Sequence, residues 1–162
     1  MSTPDPSPPA TPPAGSSRAL KLWVVLARAH AAVQARLQAQ VAAHELTLTE
    51  FGILEVLFHR GPLLLGEVQR RILVSSGGIT YLVDRLEKKG LVERQECPED
   101  RRARYAVLTP AGEALIRRIF PEHAGEIERL MGVLSEEEQT LAVDLLRRLG
   151  HAAADRREVG SE

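Results

Sequence analysis

The sequence contains one cysteine, few aromatic residues and no long apolar run. Because Cys97 stands alone among 162 residues, neither an intramolecular disulfide nor a cysteine-based metal cluster can form within one chain. Aromatic residues make up only 4%, whereas Leu, Ala, Arg and Glu are plentiful, which favours a helix-rich fold. No stretch reaches about 18 apolar residues and the first residues lack a secretion signal, so we expect a cytoplasmic protein without a membrane partner.

Sequence motifs of catalysis are missing as well. The five histidines follow no metal-ligand spacing, and neither a Gly-rich phosphate loop nor a serine nucleophile elbow occurs. We therefore expect a protein that is not an enzyme and that carries no metal and no cofactor. A binding function remains, and the distribution of charge indicates where its surface lies.

The net charge of −1 is low for a protein that binds nucleic acid, since phosphate contacts normally require a basic surface. The charge is unevenly distributed, however. Residues 61–104 carry nine Lys and Arg against seven Asp and Glu, whereas residues 105–162 carry seven against eleven. The middle of the chain is mildly basic and the C-terminal part is acidic.

The chain ends differ in composition from the middle. Six of the ten prolines fall within residues 1–17, which predicts a disordered arm. Residues 18–43 contain no Gly or Pro and predict a long helix, which Ser17 can cap. Its apolar residues form two stripes, as in a helix that is buried between partners. We expect one folded domain over residues 18–150 and a flexible tail over residues 151–162.

Turn and capping signals divide the middle of the chain. Thr47 with Glu50 has capping-box spacing, although Thr49 is an equally suitable cap, and the helix that follows stops at Gly61. Thr109 with the next proline starts another helix, which Pro121 is expected to kink or interrupt. Further elements are expected as helices at about 65–73 and 76–89, strands at about 91–95 and 105–108, and a last helix capped by Ser135 with Glu138.

Two short helices followed by a hairpin predict a mainly α fold with a small β-hairpin wing, a winged helix-turn-helix over about residues 47–108. The second helix of such a motif enters the major groove of DNA. Small residues at its start permit close approach to phosphates, and its positive end faces them. The residues predicted to contact DNA are Ser75, Ser76, Gly77, Thr80, Tyr81 and Arg85, with Arg85 reaching a guanine edge or a phosphate. The alternative is an amphipathic surface helix whose polar residues are merely solvated.

The hairpin tip carries three arginines that cannot serve a core: Arg101, Arg102 and Arg104. Arginine is attracted into a narrow minor groove, and a hairpin is thin enough to carry it there. Asp100 is placed to brace one guanidinium by a charge-assisted hydrogen bond. We predict that all four residues lie at the DNA. The alternatives are a solvated charged turn and a winged helix that contacts only protein.

Several segments in this order resemble the MarR family of transcriptional regulators, and the resemblance covers about residues 18–150. It implies a homodimer on an inverted-repeat operator in double-stranded DNA, with helices at about 18–43 and 109–150 interlocked. It also implies that Asp100 and Arg102 form the wing-tip pair, with Arg102 in the minor groove. Leu64 departs from the family, in which a polar cap is common. The segments that carry the resemblance are residues 48–51, 75–80, 86–92, 100–102 and 108–112.

A closer similarity is to members that respond to hydroquinones and catechols. It rests on Gly78 to Tyr81, on Cys97-Pro98 before the wing arginines, and on residues 119–121 with His123. The similarity implies repression that a small aromatic, phenolic or quinone-like effector relieves. We expect such a ligand between the dimerisation helices and the DNA-binding lobe. The candidate lining residues are Trp23, His30, Phe51 and Phe58.

Each candidate sensor residue also has an ordinary structural interpretation. Trp23, Phe51 and Phe58 then belong to the core, and His30 is a satisfied buried imidazole. Cys97 is a possible redox or electrophile sensor, because neighbouring arginines favour a thiolate. Equally close acidic residues act in the opposite sense, so both interpretations of Cys97 stay open.

Overall fold

The computed structural model describes residues 14–72, 76–97 and 103–155. The described chain is mainly helical with one small antiparallel sheet, which confirms the predicted fold class of a winged helix-turn-helix. Its elements are α1 (Ala14–Ala42), α2 (Leu48–Arg60), β1 (Leu63–Leu64), α3 (Leu65–Ile72), α4 (Ser76–Lys88), β2 (Val92–Glu96), β3 (Arg104–Leu108), α5 (Pro110–Met131) and α6 (Glu136–Asp155).

The helix starts follow the capping signals. Thr47 is the cap of α2: its Oγ1 accepts a hydrogen bond from the Glu50 amide at 3.1 Å, and Glu50 Oε2 accepts one from the Thr47 amide at 2.8 Å. This reciprocal pair excludes Thr49 as the cap. Ser135 and Glu138 form the same pair before α6, and Thr109 caps α5 with proline at the first helical position.

Leu64 precedes α3 without a polar side chain of its own. Its backbone amide donates instead to Glu67 Oε2 at 3.3 Å, so a residue inside the first turn satisfies one of the amides at the helix start. The helix therefore begins at Leu65 despite the missing cap. The departure from the family pattern at this position leaves the helix in place.

The sheet has the strand order β1-β3-β2, with Leu63 opposite Ala106 and Val92 opposite Leu108. The β2–β3 hairpin confirms the prediction. Strand β1 was not predicted, because two consecutive leucines are too short to show the alternation of a strand. Its pairing with β3 ties the turn between α2 and α3 to the middle of that strand.

One core joins the ends of the motif. Residues from the end of α1, from α2, α3 and α4 and from the first half of α5 are buried together, and each buried aliphatic side chain contributes about 1.5–3 kcal/mol. Helix α4 therefore turns its apolar face inward and its polar face to solvent. The largest fully buried apolar members are Val41, Phe51, Ile53, Leu54, Val68, Val83, Leu86, Ile116 and Ile119.

The predicted chain ends need correction. Helix α1 begins at Ala14, so the last residues of the expected arm are helical and Ser17 lies inside the helix instead of capping it. Helix α6 continues to Asp155, into the expected tail. Neither extension contains proline, and the extension of α6 includes three alanines, the residue of highest helix propensity. Residues 1–13 and 156–162 lie outside the described part of the chain.

Pro121 does not interrupt α5, because the helix runs from Pro110 to Met131 as one element, so of the two expected outcomes only a kink stays a prediction. A proline inside a helix removes one hydrogen bond, here to the carbonyl of Arg117. Both residues are exposed, so water can satisfy that carbonyl. Buried Ile119 and His123 on the opposite side hold the helix against the core.

The terminal helices expose apolar side chains. Trp23 is 65% exposed on α1, and Leu141 and Leu145 are 59% and 50% exposed on α6. Exposed apolar surface of this extent is typical of an interface. None of the described helices is long and apolar enough to cross a membrane. The other large apolar residues exposed on these helices are Leu20, Leu22, Val24, Val25, Val143, Leu146 and Leu149.

Candidate functional site

Helix α4 presents the predicted recognition surface. It begins at Ser76, so the positive end of the helix lies at the small residues, as predicted. Thr80 and Tyr81 are exposed, and Tyr81 keeps 60% of its surface accessible. Ser75 lies outside the described residues, and Ser76 and Gly77 are described only through their helical backbone.

Arg85 has a partner inside the protein that sequence reasoning missed. Its Nε lies 3.2 Å from Oε1 of the fully buried Glu50, and its guanidinium carbon lies 5.8 Å from the centre of the Tyr81 ring. A guanidinium carries four further donors besides Nε–H. Arg85 is therefore fixed by α2, and the part of it that extends towards solvent is held beside Tyr81.

Lys89 binds the same carboxylate from the next turn. Its Nζ lies 3.0 Å from Glu50 Oε1 and donates at 2.6 Å to the carbonyl of Glu45. Burial by itself raises the pKa of Glu50. The hydrogen bond from the Thr47 amide and the contact with Lys89 outweigh it, and they hold the pKa of Glu50 below its ordinary value. The carboxylate is therefore charged at neutral pH.

The wing is attached to α4 through Arg94 at the centre of β2. Its Nη1 lies 2.7 Å from Asp84 Oδ1 and also contacts Glu87, while its Nη2 donates to the carbonyl of Thr80 at 3.2 Å. The Arg94 amide donates to Glu87 Oε1 at 3.0 Å. Wing and recognition helix consequently form one unit, and sequence analysis assigned Arg94 no such role.

Of the four predicted wing residues, only Arg104 is described. It begins β3, is partly buried, and its Nη2 lies 3.5 Å from Glu96 Oε1 on the neighbouring strand. Asp100, Arg101 and Arg102 lie outside the described residues.

The first turn of α5 is fitted closely onto the turn after α4. Thr109 Oγ1 donates to the carbonyl of Gly90 at 2.6 Å, and the Thr109 amide donates to that of Leu91 at 3.1 Å. A Cβ atom on Gly112 would lie 2.0 Å from the carbonyl oxygen of Leu91, far inside contact distance. Glycine is therefore required at position 112, and the position of α5 is tied to that of α4.

A cavity of about 660 Å³ lies between α1, α2 and α5, with Ile72 of α3 at its edge. This volume is within the range of sites for small organic ligands. Its walls combine apolar surface with side chains that donate or accept hydrogen bonds. The polar lining residues are Gln34, Gln38, Thr49, Glu55 and His123, and the apolar ones include Leu48 and Phe51.

The predicted ligand residues are only partly brought together. Phe51 lines this cavity, whereas Phe58 lines a separate one of about 340 Å³ beside Arg117. Trp23 and His30 are exposed on α1, so the interpretation of Trp23 as core and of His30 as a buried imidazole is wrong for the single chain. The first half of α1 extends beyond the other helices of its own chain, which sequence periodicity cannot reveal.

His123 is the buried imidazole that closes the cavity. Its Nδ1 lies 2.8 Å from Gln40 Oε1, and its ring centre lies 4.2 Å from that of Phe51. Burial lowers the pKa of His123, and the charge of Glu55 opposes this only in part. The ring is therefore neutral at pH 7, and it offers one nitrogen as a donor and one as an acceptor.

Cys97 is 6% exposed at the end of β2, and its amide donates to the carbonyl of Ala103 at 3.4 Å. Reactive cysteines are usually partly exposed and surrounded by positive charge. Its burial therefore favours a packing role. Within residues 14–72, 76–97 and 103–155, no three His, Cys, Asp or Glu side chains are grouped so that they could hold a metal ion.

Comparison with known proteins decides the family. A model of the MarR family matches residues 44–103, from the turn before α2 to the start of β3. The HTH-type transcriptional regulator MhqR of Bacillus subtilis (strain 168) is 42% identical over 135 residues, which cover 83% of this chain and 93% of that protein. The chain belongs to the MarR family. A second relative, the uncharacterized HTH-type transcriptional regulator YkoM of the same strain, is 38% identical over 82% of this chain and 86% of its own length.

Solved structures share the fold. Sco3205 of Streptomyces coelicolor, solved in complex with DNA, superposes with a TM-score of 0.80 over 91% of this chain and 92% of its own, at 23% identity. BpsR of Bordetella bronchiseptica superposes with a TM-score of 0.73 over 80% of this chain and 98% of its own, at 26% identity. This MarR-family chain is thus a DNA-binding transcriptional regulator with a winged helix-turn-helix.

Proposed function

We propose that this MarR-family regulator binds an inverted-repeat operator as a homodimer and represses transcription until a small phenolic or quinone-like molecule binds. The proposal rests mainly on the rigid unit that α4 and the wing form together. Arg94 joins β2 to Thr80, Asp84 and Glu87, so the exposed face of α4 and the hairpin meet DNA in a fixed relation. We assign DNA contacts to Thr80, Tyr81 and Arg85 and to the wing.

The exposed apolar surface of α1 and α6 supports the homodimer. A symmetric dimer covers such surface on both copies and places two recognition helices about one DNA turn apart, roughly 34 Å. With a net charge of −1, a single chain is a weak DNA binder. Dimerisation brings two basic patches to the same DNA. We therefore assign residues 47–108 to DNA binding and the helices within residues 18–43 and 109–150 to dimerisation.

The cavity between α1, α2 and α5 supports the effector. The DNA binding of BpsR, 26% identical to this chain, is regulated by 6-hydroxynicotinic acid, a hydroxylated aromatic compound. The hydroxyl of a phenol can form hydrogen bonds with a neutral His123 and with the amides of Gln34 and Gln38. The aromatic ring of the phenol can pack against Phe51. The burial of Cys97 favours this reversible ligand over a thiol sensor.

Arg102→Ala tests the DNA-binding surface. The wild type is first used to select its duplex from a random pool, and affinity for that duplex is then measured between 50 mM and 200 mM salt. We expect Arg102→Ala to lower the affinity about tenfold or more and to reduce the salt slope by about one per neutralised phosphate contact. Arg118→Ala, which removes the same charge from the exposed face of α5, is expected to leave both unchanged.

Two results contradict this assignment. If the wild type selects no duplex, the DNA-binding function itself fails, and a winged helix that contacts only protein becomes the better interpretation. If it selects one but Arg102→Ala binds with the same affinity and salt slope, the wing prediction is wrong.

The effector is tested by adding catechol, 2-methylhydroquinone or 6-hydroxynicotinic acid to the complex with the selected duplex. We expect at least one of them to weaken DNA binding about 5- to 150-fold, the usual size of allosteric coupling. Cys97→Ser is expected to respond like the wild type. A response lost in Cys97→Ser would instead establish the thiol sensor, and no response to any compound would contradict the effector class.

A further inference from the structure

The segment of residues 45–50, which comprises the turn after α1 and the first residues of α2, is held from two sides. On the cavity side, Gln38 of α1 donates through Nε2 to the carbonyl of Leu46 at 3.3 Å and accepts through Oε1 from the amide of Leu48 at 2.9 Å. On the opposite side, Lys89 at the end of α4 donates to the carbonyl of Glu45 at 2.6 Å. One short segment therefore touches both a cavity-lining side chain and the recognition helix.

Glu50, at the end of this segment, holds α4 most strongly. Its carboxylate is fully buried and lies 3.2 Å from Arg85 and 3.0 Å from Lys89, on successive turns of α4. A buried charge of this kind is costly to leave without partners, so the two cations and the carboxylate fix one another. The neighbours Thr49 and Phe51 face the cavity from the same helical turn.

Glu45 adds an independent observation. Its φ angle is +59°, in the left-handed region that is unfavourable for a residue with a Cβ atom. A residue keeps such a conformation only where its surroundings enforce it. Here the Lys89 contact to its carbonyl and the Gln38 contacts to the next residues do so. The segment is strained at the place where cavity and recognition helix meet.

We propose that residues 45–50 couple the cavity to the recognition helix, and that Glu50 is the positioning residue that sets α4 for specific DNA binding. A ligand that engages the Gln38 amide competes with its bonds to Leu46 and Leu48 and thereby shifts the turn that carries Glu50. The inference rests on the proposed function for its DNA readout. It goes beyond that function by naming the link between the two sites.

Glu50→Gln removes the charge of Glu50 and keeps an oxygen that can cap the start of α2. The amide oxygen of glutamine can still accept from the Thr47 amide, but the charge that holds Arg85 and Lys89 is gone. Glu113→Gln is the matched control, because it makes the same change in a carboxylate that pairs with Arg117 on the exposed face of α5, outside residues 45–50. We expect Glu50→Gln to lower the ratio of selected-duplex to scrambled-duplex affinity about tenfold, with Glu113→Gln within about twofold of wild type.

A second measurement follows the coupling without an effector. Hydrogen exchange of the amides of residues 85–90, at the end of α4 and just after it, is expected to rise about tenfold in Glu50→Gln and in Gln38→Leu. Gln34→Leu is the matched control: Gln34 lines the same cavity one turn earlier on α1, and among the described residues it makes no hydrogen bond to residues 45–50. Its exchange is expected to equal that of the wild type.

The outcomes separate this inference from the proposed function. If the wild type selects no duplex, the proposed function fails. If it selects one and Glu50→Gln keeps the wild-type affinity ratio and exchange, the inference is overturned. Should Glu50→Gln not fold, Lys89→Met takes its place. A reduced affinity ratio with faster exchange supports the inference, and a ratio equal to that of the wild type overturns it.

Discussion

Replacing Leu141 and Leu145 together with glutamate is expected to turn the dimer into a monomer and to abolish tight operator binding. The two side chains lie one turn apart on α6 and are 59% and 50% exposed in the single chain. In the proposed dimer they are buried, and a carboxylate there loses its hydration without gaining a partner. The monomer retains one half-site contact, so we expect operator affinity to fall about 100-fold or more.

Light scattering after size-exclusion chromatography measures the mass, and fluorescence anisotropy with the selected duplex measures the affinity. The matched control is His151→Glu, which places the same carboxylate on α6 at an exposed position about 120° around the helix from Leu145. It is expected to stay dimeric and to bind the operator. A double variant that elutes as a dimer would contradict the assignment of α6 to dimerisation.

Gly112→Ala is expected to destabilise the protein by about 3 kcal/mol, because overpacking against a rigid group forces the backbone to move. The added Cβ would meet the carbonyl oxygen of Leu91 at 2.0 Å and its carbon at 2.9 Å, and neither is a flexible side chain. The displaced elements are the first turn of α5 and the turn after α4. Since that turn sets the end of the recognition helix, operator affinity is expected to fall as well.

Gly125→Ala provides the control within the same helix. A Cβ at position 125 meets nothing within 4 Å, so alanine is expected to stabilise the helix by about 0.5–1 kcal/mol through its better propensity. Urea unfolding at one fixed protein concentration measures both variants, since the stability of a dimer depends on concentration. Equal stability of the two variants would show that the approach of α5 to Leu91 is looser than its geometry indicates.

The helix starts could be predicted because their signals are local. Thr47 with Glu50, Ser135 with Glu138 and Thr109 before proline each satisfy amides three residues away, so the sequence contains the whole interaction. The family resemblance extended these signals to a winged helix-turn-helix. Where local signals ran out, at Ala14 and Asp155, the predicted ends were wrong by a few residues.

The candidate site was predicted only for side chains that face solvent. Thr80 and Tyr81 follow from helical spacing, because the apolar face of α4 identifies the opposite one. The partners of Arg85 and Arg94 did not follow, since an exposed arginine and one bound to a distant carboxylate look alike in a sequence. Of the predicted ligand residues, Phe51 lines the cavity between α1, α2 and α5 and Trp23 does not, because both are apolar and only packing separates them.

The sequence by itself determined the winged helix-turn-helix and the exposed face of its recognition helix, because caps, turns and apolar periodicity act between residues at most a few positions apart. Only the tertiary structure decided how that helix is held. Glu50 meets Arg85 and Lys89 from another helix, and Gly112 meets Leu91 across the turn between α4 and α5. Such contacts depend on the packing of whole elements, which leaves no pattern in the neighbouring residues.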